Sequence, residues 1–287
     1  MLALSKDEKY LVNGSDSSYL EIFNLAEPSK PRVVEGHTQL INDIKFLPDN
    51  SGFISASADK TLRFTNPING QSKNILTLPF DLKSIDISPD GKQLAGVSTT
   101  GNLIIVNLRD YTYKELAKEA PNRILSVVYH PSRPLLAYGV EVINDQQKVV
   151  RGVVKLMDLD TRKVKELSGH KSGIMDLEFS PDGLLLASAG LDRKLQMWVV
   201  DHENDLPILM DNNNGYVWDI SFTKGSDFLI ASCNDGEIRF WPTDPKMLAE
   251  QVCPKLKRNM TPEEWEIYVG NNIGYESTCQ SLLIKDL

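Results

Sequence analysis

The chain is poor in cysteine. Only Cys233, Cys253 and Cys279 occur in 287 residues, with no CxxC pair. A disulfide framework cannot hold a chain of this length, and no thiolate metal site is encoded. The three read as reduced thiols of a cytoplasmic protein. Pairing of Cys253 with Cys279, which bracket a predicted tail helix, is the alternative that the sequence leaves open. Long apolar runs are missing too: none reaches 18 residues, so no segment spans a bilayer as a helix. The N-terminus, MLALSKDEKYL, has no basic stretch leading into a long apolar one and does not read as a signal peptide. Basic charge is scarce, with 31 Lys and Arg against 39 Asp and Glu, a net charge of -8. That argues against a nucleic-acid surface, which needs a basic face. The four histidines, His37, His130, His170 and His202, are scattered, and no metal-ligand spacing, phosphate loop or Gly-x-Ser-x-Gly is present. No metal or cofactor is expected.

What is present is repetition. SPDG occurs at Ser88–Gly91 and again at Ser180–Gly183, each time between two apolar runs. Degenerate copies stand at Ser5 (SKDE), Leu47 (LPDN), His130 (HPSR) and Thr223 (TKGS). The starts are therefore separated by 42, 41, 42, 50 and 43 residues. A unit of about 40–45 residues at this regularity marks a propeller array. In the clearest unit, Met175, Leu177 and Phe179 alternate with charged residues, as in a half-buried strand. SPDG is a tight turn, LLLASA a second strand, LDRK a second turn and LQMWVV a third strand. A fourth follows near PILMD. One such blade cannot cover its two apolar faces, whereas a ring of blades can. A β-sandwich would not predict equal spacing over the whole chain.

This unit opens with Gly169-His170, carries Asp192 in its hairpin turn and ends its third strand in Trp198. In these features it resembles the WD40 family. The resemblance implies an all-β propeller over residues 1–244, with six recognisable four-stranded blades, the last lacking its outer strand. It also implies a structural tetrad of His170, Ser188, Asp192 and Trp198. In it the carboxylate accepts from the imidazole, the imidazole reaches the hydroxyl, and the hydroxyl reaches the indole N–H. The burial of each polar group is then tolerable. Other units keep fragments: His37, Ser55 and Asp59 with Thr65 in place of Trp; Asp235 and Trp241 with Asn213 in place of His; Ser17 and Phe23 in the first. The third unit has Leu78, Gly96, Thr100 and Val106, and no tetrad. A Ser, a His and an Asp in one unit invite a hydrolase reading, but the indole partner and the eroded copies point to structure.

The pattern breaks in three places. The first unit begins at the end of its first strand, so the chain reads as the C-terminal part of a longer protein; whether the ring has six or seven blades stays open. The fourth unit carries a hairpin extension, Asn144–Lys148. Residues 245–287 leave the repeat as a helical tail expected to pack on the propeller. In it DPKMLAEQVCPKLKRNM reads as one helix. TPEEWEIYVG reads as a second, with Thr261 as N-cap, Pro262 at N1, Glu264 at N3, Gly270 as a stop, and an apolar face of Trp265, Tyr268 and Val269. This tail resembles the segment that ends WD40 propellers in large bacterial STAND-type NTPase signalling proteins. The family resemblance implies a non-catalytic scaffold for a protein or peptide partner; a propeller hydrolase and a secreted binding propeller are the alternatives. In the family, partners use residues three and five places after the His position. Those here include Leu40, Asn42, Lys83, Arg123, Met175, Tyr216 and Trp218, with Tyr216, Trp218 and Arg123 as the expected anchors. Self-association through the unpaired edge of the last blade is also expected.

Overall fold

Each repeated turn closes the first hairpin of a blade, and its sequence follows from its geometry. In SPDG of the third unit, Ser88 Oγ donates to Asp90 (2.7 Å) and accepts from the Gln93 N–H (2.9 Å). The chain reverses at Gly91, where φ is 70°, a left-handed conformation that glycine adopts without strain. Gly183 does the same at φ 75°, while Glu8, Asn50 and Ser226 take the equivalent position with φ of 58°, 59° and 60°. The His130 turn differs. Its imidazole Nδ1 accepts from the Ser132 and Arg133 N–H groups, replacing the serine hydroxyl.

In the computed structural model, residues 1–14, 18–201, 207–211, 213–269, 274–277, 279 and 282 are described. Ser17, His202 and Gly270 lie outside them. Among the described residues the strands form six antiparallel sheets in chain order, five of four strands and a last one of three. The inner strands are Leu2–Leu4, Ile41–Phe46, Ser84–Ile87, Arg123–Tyr129, Ile174–Phe179 and Val217–Phe222. The hairpin extension lengthens two strands of blade 4, Leu135–Ile143 and Val149–Asp158, around the tip at Asn144–Lys148.

The core lies between blades. Five buried apolar clusters each join one blade to the next, as where Ile54 and Leu62 meet Ile85, Leu94 and Ile104, or Val154 and Leu156 meet Leu177, Phe179 and Trp198. Among the described residues no such cluster joins blade 6 to blade 1. Leu2, Leu4, Ile238 and Phe240 are more than half exposed there, and the Lys224–Glu8 ion pair links the two blades' turns. The third strand of blade 6, Ile238–Pro242, has one sheet neighbour among the described residues and leaves an edge open among them.

The tail holds two short helices, α1 (Pro245–Val252) and α2 (Pro262–Tyr268). The single long helix expected from Asp244 onward is not formed. It ends at Val252, ahead of a 3-10 turn at Cys253–Lys255 that contains Pro254, a residue that disfavours helix before it. α2 has the expected capping box: Thr261 Oγ1 accepts from the Glu264 N–H and Glu264 accepts from the Thr261 N–H. Trp265 packs on Tyr275 within the tail, with ring centroids 5.6 Å apart, and Tyr268 and Val269 are exposed. Further bonds tie the tail together. Cys253 and Cys279 form a disulfide, Cα atoms 5.6 Å apart. Buried Asn259 donates to the Cys279 and Leu282 carbonyls (2.8 Å each) and accepts from the Cys279 N–H (2.9 Å). The reading of three reduced thiols is thereby corrected; Cys233 alone is free and is buried.

Candidate interaction face and central channel

The alternation that makes each inner strand is interrupted near its start. Register shifts fall between Ile41 and Asp43, Ile124 and Ser126, Ile174 and Asp176, and Val217 and Asp219. Each leaves one extra residue, Asn42, Leu125, Met175 or Trp218, out of step with its partner strand. A bulge bends the strand and re-aims that side chain. Met175 therefore leaves the buried face on which Leu177 and Phe179 remain, and stands half exposed.

Four inner strands thus turn one residue toward the channel end that also carries the His loops and Asp turns. Trp218 is 48% exposed and Tyr216 40%. Their rings meet edge to face, centroids 6.4 Å apart, and the Arg193 guanidinium sits 5.8 Å from the Tyr216 centroid. Trp218, Met175 and Lys83 line the channel cavity, ≈ 280 Å³, together with Leu125, Met1 and Leu2. Arg123, Asn42 and Leu40 stand outside that lining. Arg123 pairs with Glu141 (3.3 Å), Asn42 donates to the Leu82 carbonyl (2.8 Å), and Leu40 is exposed.

Deeper in the channel lies a polar ring that was not anticipated from the sequence. Asp43 accepts from the Ile85 N–H of the next blade (2.9 Å), Asp86 from Tyr129 (2.7 Å), Asp176 from Ile220 (2.9 Å) and Glu178 from Phe222 (3.0 Å). Each carboxylate fixes the next inner strand and so the pitch of the ring. Burial pushes Asp43, Asp86 and Asp176 above the usual carboxylate range, Asp176 further because the Asp219 carboxylate lies beside it, while Lys45 opposes all three shifts. Among these the pitch is set by hydrogen bonds that a carboxamide also supplies. The signal in the sequence was the acidic half of the alternation on these strands, which reads equally well as a solvated face.

Glu178 makes this testable. Burial pushes it from 4.5 up to about 8. The folded chain keeps this proton where the unfolded chain has released it, so stability falls as pH rises from about 4.5 through 8. Glu178→Gln, which still accepts from Phe222, should flatten that fall and raise the melting temperature at pH 8 while changing little at pH 4.5. Parallel pH–melting profiles for the two proteins would contradict the assignment.

The residues expected to form tetrads come together in part. His170 Nδ1 bonds Asp192 (2.9 Å) and Nε2 bonds Ser188 Oγ (2.7 Å). His37 repeats this with Asp59 (2.9 Å) and Ser55 (2.8 Å). Asp59, although burial alone would raise it, is held at about 2 by the Thr61 hydroxyl, the Thr38 N–H and His37. Burial lowers His37, so the imidazole stays neutral. The fourth link is missing: the Trp198 indole N–H has no partner. Ser188 stands opposite Gln196 in the ladder, while Trp198 stands opposite Leu186. In blade 6, Asn213 donates to the Arg193 and Met210 carbonyls, Asp235 pairs with Arg239 (2.8 Å), and the Trp241 N–H is unpaired. Asp235 and Trp241 are thus not joined. Ser188 and Ser55 are fully buried.

Three segments of the chain match a known repeat family. The WD domain, G-beta repeat model of WD40 matches residues 29–66, 161–199 and 206–242. The chain is 30% identical over 198 residues to the serine-threonine kinase receptor-associated protein of Gallus gallus, covering 68% of this chain and 53% of that protein. Its Homo sapiens counterpart is 29% identical over the same span. WD repeat-containing protein SL1-17 of Schistosoma mansoni is 24% identical over 210 residues, 68% of this chain and 63% of that protein. The chain spans about half the length of the kinase receptor-associated proteins it matches.

Proposed function

We propose that this chain, a six-bladed β-propeller carrying WD40 repeats, is a non-catalytic interaction module that holds a protein or peptide partner at the channel mouth. Trp218, Tyr216 and Arg123 are its anchors, with Met175, Lys83, Asn42 and Leu40 around them. The observation that carries this reading is the Tyr216–Trp218 pair, two large aromatic side chains held at the start of a bulged strand and left in solvent. Such residues bury much area on binding at little entropic cost. The Ser-His-Asp arrangements support a structural role over a catalytic one, because a nucleophile with no exposed surface offers a substrate no approach. A photo-cross-linking residue placed at position 218 should give a defined adduct with the partner that is absent when the residue is placed at Lys118. Equal adducts from both would remove the reading.

The wider setting follows the tail resemblance: a regulatory part of a larger bacterial signalling protein, in the cytoplasm. The Cys253–Cys279 disulfide favours a second setting, an oxidising compartment in which the propeller is secreted. Thiol counting on protein from its native cell separates them, one reactive thiol under denaturing conditions for the secreted form and three for the cytoplasmic one.

The open edge supports self-association. Ile238–Pro242 has no strand partner on one side among the described residues, with Ile238 and Phe240 66% and 61% exposed, and such an edge recruits another strand. Light scattering at tens of micromolar should show dimers or larger species, which Phe240→Lys converts to monomer. A monomer throughout would contradict it.

A further inference from the structure

On the face opposite the channel mouth, where the first and last hairpin turns of each blade emerge, a cavity of ≈ 430 Å³ opens between blades 3 and 4. Three cations line it: Lys114 from the outer strand of blade 3, and Arg133 and Arg162 from two turns of blade 4. Two carboxylates, Asp90 and Asp160, line it as well. The balance is therefore positive in a chain whose net charge is -8. Asp90 is already engaged by Ser88 Oγ (2.7 Å) and Lys92 (3.2 Å), and Arg133 by Asp201 (2.7 Å). The side chains of Lys114 and Arg162 have no hydrogen bond or ion pair among the described residues.

Tyr129 supplies the independent observation. Its ring belongs to the apolar cluster between blades 3 and 4, it lines the cavity, and it is 6% exposed. Its backbone N–H is fixed by Asp86 (2.7 Å), yet its buried hydroxyl has no partner among the described residues. A buried hydroxyl without a partner is costly, and such groups are rare in folded proteins. Burial and the Asp86 and Asp90 carboxylates hold the phenol well above its ordinary pKa, so it remains a donor.

We propose that this cleft binds a phosphate group, carried on a phosphorylated side chain of a partner or on a small molecule. Lys114 and Arg162, set against the single carboxylate of Asp160, leave a net positive charge beside a neutral donor, which suits an anionic group rich in acceptor oxygens. Arginine favours such a group through its planar fork of donors. The cleft is larger than a bare phosphate ion, leaving room for the residue or molecule that bears it.

The test is calorimetric titration at low ionic strength with inorganic phosphate, a phosphoserine tripeptide and its unphosphorylated twin. Saturable binding of the first two and none of the third is expected. Tighter binding of the phosphopeptide identifies a phosphorylated partner, and equal binding a small-molecule phosphate. Combined Lys114→Ala and Arg162→Ala substitution, at exposed positions, should weaken binding by about tenfold or more. Lys148→Ala, at the exposed hairpin tip of blade 4 and outside the cleft, should leave it unchanged. Tyr129→Phe should weaken binding several-fold without lowering the melting temperature, because the hydroxyl bonds nothing in the free protein; a merely structural tyrosine would show the reverse. Absence of saturation with either phosphate probe, or unchanged affinity in the double variant, overturns the proposal.

Discussion

His170→Ala is expected to destabilise the fold by roughly 1–3 kcal/mol, the cost of stranding buried hydrogen-bonding groups. The imidazole is bonded on both sides, to Asp192 at 2.9 Å and to Ser188 at 2.7 Å. Removing it leaves a hydroxyl with no access to water and a carboxylate whose other bonds come from the Lys171 and Lys194 N–H groups. Each kcal/mol corresponds to roughly 2–4 °C in melting temperature for a chain of this order of size. Asn213→Ala, at the same place in blade 6, should cost less, because no serine or aspartate depends on it; its partners are two carbonyls and, at 4.0 Å, the weakly donating Cys233 thiol. Equal melting-temperature losses for the two variants would refute the structural assignment of His170.

Trp218→Ala should do the opposite. Its ring is 48% exposed, and its strand is held by neighbours that do not need it. Val217 and Ile220 on the same strand sit in the core between blades 5 and 6, and the Ile220 N–H is fixed by Asp176. Stability should stay within about 0.5 kcal/mol of the parent, as for an exposed residue. Partner affinity should fall by about 2 kcal/mol or more, roughly thirtyfold, as for an aromatic anchor. Melting curves and binding isotherms on one preparation check both halves. A destabilised variant that binds normally once folded would make Trp218 a wall residue of its own blade.

The propeller was legible in the sequence because its turns demand particular residues. Ser88 and Ser180 are needed to bond the backbone across the turn, and Gly91 and Gly183 to reverse it. The same spacing located the half-tetrads of His37 and His170, since the hairpin register fixes how far Ser and Asp lie from each other. The indole link was not legible. Whether Trp198 reaches Ser188 depends on cross-strand geometry, which puts Gln196 opposite the serine. The channel carboxylates were hidden for another reason: alternating acidic residues look alike whether they face solvent or a neighbouring blade's N–H. In the tail, an apolar stripe predicts burial without saying against what, and the bonds of Asn259 and the Cys253–Cys279 link depend on how distant residues meet, which spacing does not encode.

The central claim is that partners are held at the channel mouth by the bulged inner strands, and backbone hydrogen exchange with and without bound partner tests it most directly. The account predicts slowed exchange concentrated at residues 216–219, 173–176 and 123–125, with the turns at 47–50 and 180–183 on the opposite face unchanged. Protection confined to those turns, or spread evenly over all six blades, would contradict it.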